Sequence, residues 1–321
     1  MSSTIAFNKH FEFEYEKVER LSPLVRRIVA QNPNYFTFYG TNTYIVGNGE
    51  VALIDPGPDS EEHLAAIVDG LDGETITHIF ITHTHYDHWP AYHTLQSKYG
   101  AKTYGFHPSK SNRKDSASQS ASERSLSTQE RFEITGFEPD VGVEHGSTIE
   151  GGNWTIECVF TPGHASDHMC YQLREEDTLF SGDHIMGWST SVISPPSGNM
   201  REYMDSLNLL LKREDGYYRP AHGPGIPEPM PYVKSFVQHR KERFDQILNQ
   251  IRMGVHTIPE MVVDIYRDIS PMLHPAAERS TLAAMEYLIE KGIVKCQTNV
   301  GNTTTYYLAD QKGKIGKQGP D

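Results

Sequence analysis

Residues 83–88, His-Thr-His-Tyr-Asp-His, place four metal-binding side chains in six residues, directly after the apolar, β-rich run 77–82. Such a dense donor set must be presented rigidly, and the preceding run marks it as the loop at the end of a buried strand. In extended chain, residues two apart point the same way. His83 and His85 can therefore share one ion, while Asp87 and His88 turn toward a second. The chain holds 16 histidines, and a lone histidine is more often a hydrogen-bonded core or surface residue than a ligand. Four donors at this spacing argue against chance.

Each ion needs about four donors, with a position left open for water or substrate if chemistry is done there. Three later segments have the form to supply them: Thr161-Pro-Gly-His164, Phe180-Ser-Gly-Asp183 and Pro220-Ala-His222-Gly223. In each, an imidazole or carboxylate sits in or after a Gly/Pro turn that follows a β-like run, at 155–160, 177–180 and 217–219.

This set of segments, in this order, resembles the metallo-β-lactamase superfamily over roughly residues 35–225. The resemblance implies that His83, His85 and His164 hold one ion, that Asp87, His88 and His222 hold the other, and that Asp183 bridges the two. It further implies that Asp55, in Val51-Ala-Leu-Ile-Asp-Pro-Gly57, orients a ligand histidine. One departure follows His88, where many members carry Gly-Gly and this chain has Pro90-Ala91 after Trp89. Ligation is untouched by that change; the shape of the pocket floor is left open.

A narrower resemblance rests on Thr161-Pro-Gly-His-Ala-Ser-Asp-His-Met169, Ser181-Gly-Asp-His-Ile-Met-Gly187, Tyr203-Met-Asp-Ser-Leu207 and Ala221-His-Gly-Pro224. With a C-terminal helical module, these look like the lactamase-like protein 2 subgroup, whose animal mitochondrial members are single-strand-specific endoribonucleases. The implied fold class is α+β: an αββα metallo-β-lactamase sandwich with a small C-terminal winged-helix-like domain. The expected boundaries are 1–254 for the catalytic domain, 255–310 for the winged-helix-like domain and 311–321 for a flexible tail.

Local pattern agrees. Residues 43–46 and 51–54 around Gly47-Asn48-Gly49 predict a hairpin, and 60–71 a helix capped by Ser60. A helix is expected over 88–99, stopped by Gly100, and a strand over 101–106. Residues 109–127 are rich in serine and almost free of apolar side chains, which predicts a mobile loop; Arg113, Lys114 and Arg124 offer the alternative of a substrate-gripping arm. A long helix is expected over 231–253, then a capping box at Thr257-Ile-Pro-Glu260 opening a helix through Arg267, a helix over 276–291, and a hairpin of 293–297 with 303–308. Helix, helix, hairpin is the form of a winged helix. Its residues carry no excess of Lys and Arg, so a packing role beside the site is favoured over DNA binding.

Composition restricts partners. A net charge of −13 repels polyanions, and non-specific nucleic-acid affinity comes mostly from cationic contacts to phosphate, so a duplex DNA partner is not expected. No apolar run reaches membrane-helix length and no export or transit signal is recognised, so the expected location is cytoplasmic with no membrane partner. Cys158, Cys170 and Cys296 show no pairing pattern and read as packed thiols in strands. Nothing in the sequence fixes an oligomeric state.

The resemblance implies a hydrolase that uses a hydroxide bridged by two divalent metal ions, with zinc the first choice and manganese or iron as alternatives. Asp87, His168 and His184 are the candidate catalytic residues, the two histidines for protonating a leaving group or steadying an oxyanion. The substrate alternatives are single-stranded RNA, as in the subgroup, and a thioester, lactone or other small ester, as in glyoxalase II-like relatives. Trp89, Trp188 and Tyr203 are the candidate platforms for stacked bases. A flavodiiron redox role is disfavoured because His85 stands where those relatives place an acid, and a vestigial regulator because the donor set is complete.

Overall fold

The first sheet is built in chain order from β1 (Glu19–Arg20), β2 (Val25–Val29), β3 (Asn42–Val46), β4 (Glu50–Ile54), β5 (Thr75–Phe80), β6 (Lys102–Phe106) and β7 (Val141–Val143). The computed structural model describes residues 5–106, 137–299 and 303–309; the Ser-rich segment and the expected tail lie outside them. Strands β1 to β4 pair antiparallel, and the β3–β4 turn places Gly47 and Gly49 at positive φ, as its Asn-Gly pair requires. Strands β4 to β7 pair parallel. The β4–β5 crossover is α1 (Glu61–Leu71), started by the Ser60 hydroxyl, which accepts from the His63 N–H at 3.2 Å. A strand covered on both faces must read apolar without alternation, and Val51-Ala-Leu-Ile54 does.

The second sheet has the order β13-β12-β11-β10-β9-β8, made of β8 (Thr148–Glu150), β9 (Thr155–Phe160), β10 (Met169–Leu173), β11 (Thr178–Gly182), β12 (Tyr217–Pro220) and β13 (Ile226–Pro227). Tyr44, Ile54 and Phe80 of the first sheet meet Trp154, Tyr171 and Phe180 across the sandwich. On the outer face of the first sheet lie α1 and α2 (Tyr92–Tyr99). On the outer face of the second lie α3 (Met200–Leu210) and α4 (Pro229–Arg252). The four layers are α, β, β, α.

The C-terminal module comprises α5 (Ile258–Ile265), α6 (His274–Glu290) and a hairpin of β14 (Val294–Thr298) with β15 (Thr304–Leu308). Among the described residues it has no separate core. Met261, Met285, Leu288 and Val294 belong to one buried cluster with Phe244, Ile247 and Ile251 of α4 and with Leu207 of α3.

Several local expectations are corrected. Helix α2 begins at Tyr92, four residues late, because His88 through Ala91 form turns that aim His88 back into the sandwich. The long helix starts at Pro229 and α5 stops at Ile265. The capping box does not form: Thr257 Oγ1 donates to the Glu260 carboxylate at 2.6 Å and caps no backbone N–H. Cys158 and Cys170 are buried in strands as expected, whereas Cys296 faces outward on β14 and is exposed.

Candidate metal centre

All seven predicted donors come together at one end of the sandwich. His83, His85, Asp87 and His88 follow β5, His164 follows β9, Asp183 follows β11 and His222 follows β12. They fall into two groups, His83, His85, His164 and Asp183 in one, and Asp87, His88 and His222 in the other. Within the first, His85 Nδ1 lies 2.8 Å from His83 Nε2 and 2.9 Å from His164 Nε2. Within the second, Asp87 Oδ2 lies 3.4 Å from His88 Nε2 and 3.2 Å from His222 Nε2. Asp183 faces both groups, with Oδ2 at 3.5 Å from His164 Nε2 and Oδ1 at 3.3 Å from His222 Nε2.

The hydrogen bonds outside the cluster decide which nitrogens are available inside it. Asp55 Oδ1 accepts from the Thr82 N–H at 2.8 Å, and Oδ2 accepts from Thr82 Oγ1 at 2.8 Å and from His88 Nδ1 at 2.9 Å. Thr82 has one hydroxyl proton and gives it to Asp55. The 3.0 Å contact between His83 Nδ1 and Thr82 Oγ1 therefore requires an Nδ1–H on His83. His164 Nδ1 donates to the Val192 carbonyl at 2.7 Å and His222 Nδ1 to the Gly40 carbonyl at 3.1 Å. Four imidazoles thus have Nδ1 tied to an acceptor and Nε2 aimed at the cluster, the arrangement that fixes a ligand's tautomer. His88 Nε2 and Asp183 Oδ1 are buried and make no hydrogen bond of their own.

Electrostatics divides the cluster the same way. Burial holds His83 well below its ordinary value, holds His164 below it, and with the His164 charge brings His85 down to about 3. Burial also opposes charge on His88 and His222, but the carboxylates outweigh it: Asp87, Asp55 and Asp183 raise His88 to about 9, and Asp183 with Asp87 raises His222 well above its usual value. Asp87 and Asp183 are kept below the carboxylate range by those two rings despite their burial. Three neutral imidazoles beside two buried carboxylates that draw positive charge fit a pair of divalent cations.

Backbone geometry explains the glycines between strands and donors. Gly163 has φ +135°, and a Cβ there would lie 2.3 Å from the Tyr203 backbone. Gly182 has φ +51°, and its Cβ would meet His168 Nε2 at 2.5 Å. Asn42 Nδ2 donates to the Pro220 and Gly223 carbonyls at 2.9 Å each, clamping the turn that carries His222.

The two histidines expected to handle protons sit elsewhere. His168 is fully buried; its Nε2 accepts from the Asp183 N–H at 3.2 Å and its Nδ1 meets Thr161 Oγ1 at 2.9 Å, so both nitrogens are engaged, one by Asp183 and the other by Thr161. His184 is fully buried against the Tyr203 ring, 4.6 Å between centroids, and burial brings it down to about 3, aided by His164 and Arg240. Both of its ring nitrogens are buried and meet no hydrogen-bond partner among the described residues, so the ring is sealed off from a leaving group.

Trp89 and Tyr203 are likewise buried as packing residues. Trp89 lies against Tyr86, Tyr92 and Phe137, so Pro90-Ala91 in place of Gly-Gly is accommodated by the outer core rather than by the site. Trp188 stacks on Phe38 at 4.6 Å. Sequence reasoning missed the loop of residues 32–41. This loop supplies the Gly40 carbonyl to His222, places Thr41 Oγ1 3.5 Å from Asp87 Oδ2, and exposes Tyr35, Phe36 and Tyr39. The winged-helix module reaches the other side, where Arg279 Nε donates to Ser194 Oγ at 2.6 Å and the Ile193 N–H to Ser280 Oγ at 3.4 Å.

Residues 36–222 match the metallo-beta-lactamase superfamily, and residues 257–299 match the beta-lactamase associated winged helix domain. A lactamase-like protein of Pestalotiopsis fici is 31% identical over 305 residues, covering 91% of this chain and 88% of that protein. The beta-lactamase-like protein 2 homolog of Caenorhabditis elegans is 28% identical over 87% of this chain and 89% of that protein. An atrochrysone carboxyl ACP thioesterase of Passalora fulva is 30% identical over 79% of this chain and 71% of its own. Among solved structures, a metallo-beta-lactamase family protein of Thermus thermophilus superposes with a TM-score of 0.73 at 21% identity, covering 90% of this chain and 100% of that one. With this fold, this donor cluster and these relatives, the chain belongs to the metallo-β-lactamase superfamily, in the lactamase-like protein 2 subgroup with an associated winged-helix domain.

Proposed function

We propose that the chain is a thioester hydrolase with a dinuclear metal centre, in which His83, His85 and His164 hold one cation, Asp87, His88 and His222 the other, and Asp183 both. When bound, two divalent cations lower the pKa of water and polarise the scissile carbonyl, which removes the need for a protein nucleophile. The chain's own part is positional. Asp55 fixes His88 directly and His83 through Thr82, while the Val192 and Gly40 carbonyls fix His164 and His222. His168 holds the Asp183 backbone, which makes it a positioning residue rather than an acid. Zinc suits the mixed imidazole and carboxylate set, with manganese or iron as the harder alternatives.

The observation that carries the choice of substrate is the make-up of the segments around the cluster. Residues 32–41, 83–91, 161–168 and 184–200 contain no Lys or Arg, and they expose Tyr35, Phe36, Tyr39 and Tyr86. An apolar acyl group finds rings there, whereas these segments themselves offer a phosphodiester backbone no cationic side chain, and the described guanidinium beside them, Arg279, is bonded to Ser194 Oγ. The thioesterase named among the relatives supports the same reading. Exposed rings are also what splayed bases stack on, which keeps single-stranded RNA as the second reading.

The test is to assay metal-loaded protein against acyl thioesters and unstructured RNA oligonucleotides in parallel, with Asp183→Asn as the control. Thioester turnover lost in Asp183→Asn supports the proposal. RNA cleavage lost in that variant, without thioester turnover, transfers the assignment to a nuclease.

A further inference from the structure

One polar cleft has no part in the metal centre. It lies where Arg219 and Gly225 flank the turn carrying His222, has a volume of about 300 Å³, and is walled by Phe11, Arg27, Tyr44 and Tyr217. Its two guanidinium groups are not equivalent. Arg27 is ion-paired with the Glu19 carboxylate and lies over the Phe11 ring, 4.4 Å from its centroid. Arg219 is only 8% exposed, and among the described residues it has no ion pair and no hydrogen bond. Its Nε is fully buried without an acceptor, and its Cζ lies over the Tyr217 ring, 4.8 Å from the centroid. The remaining acid of the cleft, Glu12, is exposed and meets His10 at 3.1 Å.

A guanidinium taken out of water is costly unless its donors are met. Here the guanidinium lines a cleft that the rings of Phe11, Tyr44 and Tyr217 wall in part. Tyr44 contributes its ring, because its hydroxyl is already donated to the Pro220 carbonyl at 2.7 Å. A guanidinium that no carboxylate of the cleft pairs with, a bidentate donor group and aromatic neighbours match a carboxylate on a ring. The volume stands at the lower end of ligand-binding clefts, which restricts the body to a small one.

We propose that this cleft is a second binding site, distinct from the metal centre, for a small aromatic carboxylate seated on Arg219. The strand that holds Arg219 is the one that leads into His222, and Arg219 pairs with Phe180 on the strand that leads into Asp183. The inference stands independently of which ester the metal centre cleaves.

The probe is 2-naphthoate, titrated by its fluorescence into the full-length, metal-loaded protein, with 2-naphthamide as the neutral isostere and inorganic phosphate as a bare anion. Saturable binding of 2-naphthoate is expected, weaker by about tenfold or more for the amide and for Arg219→Met, a loss of about 1.4 kcal/mol or more. Arg219→Lys should fall between wild type and Arg219→Met, since it keeps the charge and loses the fork. A carboxylate could instead ligate the cations, so the titration is repeated in Asp183→Asn: unchanged affinity supports the cleft and lost affinity overturns it. If Arg219→Met does not melt cooperatively, Tyr217→Leu reads the same site through its aromatic wall. Equal affinity for 2-naphthoate in wild type and in the cleft variants, absence of binding, or tighter binding of phosphate than of 2-naphthoate overturns the proposal.

Discussion

The backbone N–H of Asp183 donates to His168 Nε2 across 3.2 Å, so the residue facing both donor groups is located by a side chain outside those groups. His168→Leu is therefore expected to lower activity by about 10–100-fold, the usual cost of losing a group that orients a ligand. The rate should fall by a similar factor at every pH, because the ring is no proton donor. A pH–rate profile whose basic limb disappears in this variant contradicts the positioning role.

Asp55 serves His88 directly and His83 through Thr82, and it sits at φ +49°, a conformation in which few residues other than glycine are held. Asp55→Asn should weaken cation affinity by about 10–100-fold. His222→Ala removes a donor from one group only and should release one of two cations first. Elemental analysis during stepwise chelation reads both; simultaneous loss of both cations in His222→Ala would show that the two sites assemble as a unit.

Away from the donor cluster, His239 on α4 is brought down to about 4, by burial first and then by the neighbouring Arg240 and Arg243. Its folded-state pKa lies below the unfolded value of about 6.5, so the unfolded chain binds the extra proton. Stability from this residue is complete above about pH 6.5 and is lost as pH falls toward 4. His239→Gln should flatten the acid side of the melting-temperature profile over that window and leave the profile above pH 7 unchanged. An acid limb of unaltered slope rules out the contribution.

Gly163 cannot be replaced quietly. Strain at its positive φ alone costs about 1–3 kcal/mol for another residue, and a Cβ would press on the Tyr203 backbone. Gly163→Ala is expected to lower the melting temperature and the affinity of the cation held by His164 together. Metal titration combined with thermal denaturation separates this from a purely local effect.

Because α5, α6 and β14 share a core with α3 and α4, the chain should unfold in a single calorimetric transition. Met285→Ala, in the middle of that shared cluster, should cost about 2–5 kcal/mol and shift the one transition as a whole. Two resolved peaks would mean that the winged-helix module melts by itself.

Much of this was legible in the sequence because donors, turn glycines and strand patterns are local signals. The 83–88 motif, the Gly-preceded donors at 164 and 183 and the hairpin at 47–49 each carry their meaning within a few residues. What escaped was whatever depends on partners distant in sequence. The Gly40 and Val192 carbonyls that fix two imidazoles have no side-chain signature. His168 and His184 read as proton handlers because they adjoin donors in sequence, and only packing reveals that both rings are sealed. The start of α2 was misplaced for a related reason, since the demand on His88 overrides helical propensity through Ala91.

The donors come from both sheets, four from the loop after β5 and three from strand ends of the opposite sheet. Tyr171 Oη bonds the Ile81 carbonyl at 2.7 Å and the Met169 N–H bonds the Thr82 carbonyl at 2.7 Å, so the loop of one sheet is moored to a strand of the other. The centre consequently works as an alignment gauge for the whole sandwich. Slippage of one layer over the other changes the spacing of the donors, and substitutions at Phe80 or Tyr171, packed between the sheets, are expected to disturb it.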